Sequence, residues 1–220
     1  MSRIDFWVSR WPVVIAAAML MLGVPGCVGL AAQIMYVIKG DKVDPEFEEL
    51  EGKRVAVVCV ANRSAYGSGG EADALARMVA VVLQKEVDDI EIVSHTEINN
   101  WKDTADWDEI DYRAVGRGVK AEMLIAIDVK SLSYYDGQTL YKGRADLTVT
   151  VYDMSKGGNI AWSKEMPDFQ FPQHGGRPVT DMAETKFQKD FLALLAKDIA
   201  RCFYAYDRIE KVSMDAAMMD

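Results

Sequence analysis

A chain of 220 residues with 25 Lys and Arg against 34 Asp and Glu carries a formal net charge of −9. Half of its residues are hydrophobic and 27% are charged, a globular composition that excludes a wholly disordered chain. The acidic balance argues against a nucleic-acid partner, since phosphate binding needs a basic stripe. Three cysteines and two histidines are little material for a zinc site.

Residues 1–26 read as a targeting segment. Arg3 and Arg10 are its only basic residues, and after Trp11-Pro12 the run from Val13 to Val24 is apolar and uncharged. It ends at Val24-Pro25-Gly26-Cys27, which resembles a bacterial lipobox: an aliphatic residue three before the cysteine and a small one just before it. Pro25 departs from the small or β-branched residue usual at its position. The resemblance implies a cleaved signal peptide and lipidation, including palmitate, at Cys27. The alternative is an uncleaved anchor. No charged side chain lies between Trp11 and Ile38, and about 20 apolar residues span a bilayer as a helix. Both readings keep Arg3 and Arg10 cytoplasmic under the positive-inside rule. The body is therefore expected on the extracytoplasmic side of a bacterial envelope, attached to the membrane. Loss of residues 1–26 removes Arg3, Arg10 and Asp5 and leaves the body one charge more negative. Attachment then falls to the anchor rather than to attraction for anionic lipid.

Residues 27–52 are expected to form a tether, with Pro45 among Glu46, Glu48, Glu49 and Glu51. A globular domain is expected over 53–206 and a frayed tail over 207–220. RVAVVCV at 54–60 predicts a buried strand. A helix follows from about Glu71 to Glu86, with Ala72, Leu75, Val79, Val82 and Leu83 on one face. IEIVSH at 90–95 predicts a second strand, and TEINNWKDT and DEIDYRAVGRGVKA two short helices. Strict alternation predicts strands at 123–135, where Met123, Ile125, Ile127 and Val129 share a face, and at 143–154, where Ala145, Leu147, Val149 and Val151 do. If these two pair with both apolar sets together, directly opposed positions sum to an even number, as Ile127 with Leu147 would. That parity excludes a two-residue Asp136-Gly137 turn and requires an odd loop or a bulge. A second hairpin turns at Ser155–Gly158 into NIAWSKE. The loop MPDFQFPQHGGRP leads to a helix from about Asp181 to Tyr206, striped by Phe187, Phe191, Leu195, Ile199, Cys202 and Tyr206. The order β-α-β-α-β-β-β-α predicts an α+β sandwich, a mixed and partly antiparallel sheet covered by helices.

Three stretches carry a family likeness: RVAVVCVANRS with its glycine-containing loop, VKAEMLIAIDVKSL as an alanine-acid-aliphatic third strand, and ADLTVTVYDMSKGGNIAWSKE as a valine-aspartate-turn-glycine hairpin. On these, the span from Arg54 to about Tyr206 resembles the superfamily that contains the amino-terminal domain of TolB, the curli secretion lipoprotein CsgG and the penicillin-binding-protein activator LpoB. Propeller repeats and long amphipathic pore strands are absent, so the plan is closest to that of LpoB. The resemblance implies a non-enzymatic envelope lipoprotein that works through protein contacts. An auxiliary lipoprotein of an envelope transporter shares that plan.

Gly67-Ser68-Gly69-Gly70-Glu71-Ala72 matches G-x-G-x-x-A, but six residues separate it from Val60. Glu71 and Asp73 also stand where a pyrophosphate would sit. Ser68 and Glu71 fit a capping box instead. A ligand-binding or enzymatic domain using the Gly67–Gly70 loop is the alternative function, with Asp103, Asp106, Asp108, Glu109 and Asp111 as accessory acids. Those acids lack EF-hand spacing. His95 and His174 have no triad or zinc partners. Cys59 and Cys202 sit in apolar patterns and are expected as core thiols rather than as a disulfide. Phe169, Phe171, His174 and Arg177, in a Pro/Gly-rich loop, are the expected partner-binding surface. No catalytic residue, cofactor or metal is expected.

Overall fold

The computed structural model describes residues 42–61, 69–104 and 111–208. All of these except Lys42 belong to the compact unit Val43–Asp220. The targeting segment, Cys27, residues 62–68, Asp106, Asp108, Glu109 and the 209–220 tail lie outside the described residues. The fold is α+β. In chain order it runs β1 (Arg54–Ala61), α1 (Gly69–Glu86), β2 (Glu91–Ile92), α2 (His95–Thr104), α3 (Tyr112–Gly118), β3 (Met123–Asp136), β4 (Leu140–Asp153), β5 (Asn159–Phe171), β6 (Arg177–Pro178) and α4 (Glu184–Ala200). The main sheet is ordered β2-β1-β3-β4-β5, with β6 also pairing with β4. Strands β2, β1 and β3 are parallel, and the pairings of β4 with β3, β5 and β6 are antiparallel. Lys42–Val43 and Tyr206–Asp207 form a separate two-stranded sheet.

The apolar pattern explains the layers. On one face of the sheet, Val55, Val57, Met123, Ile125, Ile127, Leu147 and Val149 pack with Leu75, Val79 and Leu83 of α1 and Phe187, Phe191 and Leu195 of α4. On the other face, Ala56, Val58, Leu124 and Ala126 pack with Ile98 of α2 and Val115 of α3. Strand β1 is thus covered on both sides, which is why it reads as an unbroken apolar run. The same core reaches into the expected tether. Leu50 is fully buried, Phe47 is 7% exposed, and the Phe47 ring lies 6.3 Å from Trp162 and 6.4 Å from Phe203. The Glu46 and Phe47 amides donate to the Cys202 carbonyl at 2.9 and 3.0 Å.

The long hairpin obeys the parity argument with a shifted register. Ile127 faces Val149, two positions beyond Leu147, and Asp136 faces Leu140 across a three-residue loop. The register shift between Val129 and Ser131 puts an extra residue in β3 and turns its inward set from odd to even numbers, so Tyr134 is buried while Tyr135 is 39% exposed. The expected loop at 166–178 is corrected: through Phe171 it is strand β5, followed by a short loop and β6. Pro167 is tolerated because β5 is an edge strand interrupted there by a bulge. Two further corrections concern helix ends. His95 opens α2 rather than ending a strand, because the Ser94 hydroxyl accepts the Glu97 amide at 3.2 Å as an N-cap. Helix α4 stops at Ala200, where the Cys202 and Phe203 amides close short turns onto Ile199 and Ala200.

Asp146 pins two of the irregularities together. One carboxylate oxygen accepts the Ser131 hydroxyl at 2.5 Å and the other the Asp168 amide at 2.7 Å. Asp168 is the bulge residue of β5 and has a φ of 55°. The Ser131 bond first, and then the Asp168 amide, hold the Asp146 carboxyl below its usual range.

Two predictions follow from this packing. Leu50→Ala and Leu195→Ala should each lower unfolding stability by about 2–5 kcal/mol, read from urea midpoints. An unchanged midpoint for Leu50→Ala would remove residues 46–50 from the core. Asp146→Ala should lower stability by about 1–3 kcal/mol at neutral pH. A carboxyl depressed in the fold contributes fully above the unfolded value near about 4, and its contribution falls away as pH drops further. The gap between wild type and Asp146→Ala should therefore close below about pH 4, and a pH-independent gap would contradict this.

Candidate functional site

The β5 bulge sets up a cleft. Along β5 Met166 faces the core, and without an extra residue Phe169 and Phe171 would face the opposite side. Pro167 and Asp168 together oppose the single residue Asp146, so Phe169 and Phe171 turn inward with Met166. Phe171 is 4% exposed and stacks at 6.3 Å on Phe187, and Phe169 lies 5.7 Å from Phe191. Their outer edges and the backbone beyond them form one wall of a cleft of about 390 Å³. Asp168, Gln170, Gln173 and His174 complete that side; Leu194 and Asp198 of α4, and Arg201 just past its end, make the other. Spacing of four and three residues puts these last three on one helical face.

Arg201 dominates the chemistry of this cleft. Its side chain is 8% exposed. Nη1 stands 3.7 Å from Asp198 Oδ1, an ion pair too long for a good hydrogen bond. The guanidinium lies 5.0 Å over the Tyr206 ring. Nε and Nη2 are buried and have no hydrogen-bond partner among the described residues. At the rim, Gln170 Nε2 donates to Asp168 Oδ1.

Three of the four expected contact residues, Phe169, Phe171 and His174, line this cleft. Their placement differs from the expectation. The aromatics form the base of the segment and pack on α4, because the bulge turns them inward, while His174 is exposed in the loop above. Arg177 is not among the lining residues. It sits in β6 opposite Tyr141, with Nη1 3.9 Å from Met182 Sδ. Arg201 and Asp198 were not singled out from the sequence. The available signal was a charged pair closing a helix whose neighbours Ile199, Ala200 and Cys202 are all apolar.

The other sequence candidates are dispersed. Gly67, Ser68, Asp106, Asp108 and Glu109 lie outside the described residues. Gly69 and Gly70 open α1, Asp103 lies in α2, and Asp111 caps α3 by accepting the Arg113 and Ala114 amides. Among the described residues no three His, Cys, Asp or Glu side chains gather as a metal site requires. His95 stands 3.6 Å from Asp73 beside a groove of about 190 Å³ whose walls include Val57, Ala80, Ile92 and Ile98. Cys59 and Cys202 are buried free thiols. Burial pushes Cys59 up to about 12 and Cys202 up to about 11, which keeps both protonated and unreactive at neutral pH. Among the described residues no helix is long and apolar enough to cross a membrane.

No family model and no curated protein sequence matches the chain. Solved structures similar to it include the PelC dodecamer from Paraburkholderia phytofirmans, at 14% identity, covering 74% of this chain and 95% of that one, with a TM-score of 0.40. They also include the lipoprotein GNA1162 from Neisseria meningitidis, at 11% identity, covering 67% and 97%, with a TM-score of 0.43. A third is the LpoB C-terminal domain from Escherichia coli, at 18% identity, covering 53% and 82%, with a TM-score of 0.36. LpoB, named above for the likeness of residues 54–206, is among these structures.

Proposed function

We propose that the protein is a bacterial envelope lipoprotein, anchored through Cys27, whose domain acts outside the cytoplasm as a non-enzymatic accessory module for a protein partner. The observation that carries this reading is the charge-free apolar segment ending in Val24-Pro25-Gly26-Cys27 ahead of one compact α+β unit. The partner contact is assigned to the loop after β5, where His174 and Gln173 are exposed above a base of packed aromatics. A loop on a rigid platform presents its side chains at little ordering cost.

Metabolic labelling with a palmitate analogue tests the anchor. Label should enter the wild-type protein and be lost in Cys27→Ser; equal labelling of both would leave the uncleaved anchor instead. The contact assignment separates base from loop. Phe171→Ala should destabilise the domain by about 3–5 kcal/mol. His174→Ala should change stability by less than about 0.5 kcal/mol while reducing recovery of the partner by cross-linking in intact cells. Unchanged recovery with His174→Ala and Gln173→Ala together would move the contact elsewhere.

A further inference from the structure

A guanidinium that is 8% exposed with two unmatched donor nitrogens is expensive to leave that way, since each buried donor without a partner forfeits its hydration. The unmatched atoms are not scattered. Nε and Nη2 make up the side-on edge of the guanidinium, the fork that takes both oxygens of a carboxylate. Asp198 is drawn to Nη1 and leaves that fork free. The cleft holds a second kind of information, because Arg201 shares it with two carboxylates, Asp168 and Asp198. A multiply charged anion such as phosphate would meet repulsion from both. A ligand that carries a cation close to its carboxylate would not. Phe169, Phe171 and Leu194 add apolar surface for a side chain, and about 390 Å³ is the size of a small-molecule site.

We infer that this cleft binds a free α-amino acid as its zwitterion, the Arg201 guanidinium turning its buried Nε and Nη2 edge into the cleft to take the carboxylate and the ammonium group lying toward Asp168 and Asp198. An apolar side chain lies against Phe169 and Leu194. This is a small-ligand site inside the segment whose outer loop is assigned to the protein partner, and it stands on Arg201 rather than on that assignment.

Isothermal titration of the full chain in detergent micelles tests the site with five probes. L-phenylalanine and L-leucine should bind. N-acetyl-L-phenylalanine, which lacks the ammonium, and L-phenylalaninamide, which lacks the carboxylate, should each bind about tenfold or more weakly. Inorganic phosphate should neither bind nor compete. Arg201→Gln should abolish binding. Asp168→Asn should weaken L-phenylalanine and leave N-acetyl-L-phenylalanine unchanged, and it decides the matter if Arg201→Gln fails to fold. The inference is overturned if the amide binds as tightly as the free amino acid, if phosphate binds, if Asp168→Asn affects both ligands equally, or if no probe binds. A chain that binds no amino acid yet recovers its partner overturns this inference alone. One that binds L-phenylalanine but recovers no partner overturns the binding-module reading alone.

Discussion

The described fold depends most on the contact between the Phe191 ring and the backbone of Gly143. A Cβ at Gly143 would lie 2.1 Å from Phe191 Cδ2, so helix α4 can approach β4 this closely only because that position has no side chain. Around the contact, Tyr134 meets Phe191 edge-on at 5.7 Å, and Tyr141 stacks on Phe187 at 5.0 Å. Phe169 and Phe171 close the group from β5. Aromatic groups of this kind add geometric preference to area burial, so they fix the height and rotation of α4 over the sheet. That rotation is what brings Leu194, Asp198 and Arg201 round to the cleft.

Strand parity supplies the second half of the arrangement. A regular β5 would place Phe169 and Phe171 on the face away from α4. The bulge at Pro167–Asp168 reverses this, and Asp146 holds the bulge by accepting the Asp168 amide while also accepting the Ser131 hydroxyl beside the bulge in β3. One partly exposed carboxylate on β4 therefore couples irregularities in the two strands that flank it. At the far end of the same hairpin pair, Asp153 makes a comparable turn clamp. Its Oδ1 accepts the Ser155 amide at 2.9 Å and its Oδ2 meets Lys156 Nζ at 2.8 Å. The Lys156 and Ser155 bonds bring that carboxyl down to about 2. Gly157 and Gly158, with φ of 79° and 80°, supply the left-handed backbone that this turn needs.

What the sequence made legible follows from which signals are periodic. The inward faces of β1, β3, β4, α1 and α4 repeat at two or at 3.6 residues, and the parity of Ile127 against Val149 follows from alternation alone. The α+β class and the order of the larger elements rest on the same repeats. The features that escaped are aperiodic. Pro167 and Pro172 made β5 look like a loop, since a bulge shows in sequence only as broken alternation. The capping box Ser94-His95-Thr96-Glu97 was present but lay inside an apparently β-forming stretch. Phe47 and Leu50 sit among four glutamates, so their burial shows only in the folded chain, where Phe47 lies against Phe203 and Trp162 and Leu50 joins the same core. For the candidate site, the aromatic residues were visible as a cluster, but their role as a wall was not, and Arg201 was hidden at the end of an apolar stripe.

Arg201 is also where the local rules conflict most. A cation so buried normally ends a helix with its carbonyls or an acid in full contact. Here Asp198 stands back at 3.7 Å, and the Tyr206 ring at 5.0 Å offers its face. A cation–π contact is worth about 0.5–2 kcal/mol, less than the cost of leaving charged donors unmatched in the interior. The imbalance falls on one edge of one guanidinium, beside a cleft, in a chain whose net charge of −9 would make a competing acid easy to place there. Well-folded sequences tend to violate local rules where a site demands it. A carboxylate from outside the fold would remove the imbalance once the guanidinium turns its buried Nε and Nη2 edge toward the cleft. That is why the fork, rather than the more conspicuous phenylalanines, specifies the ligand.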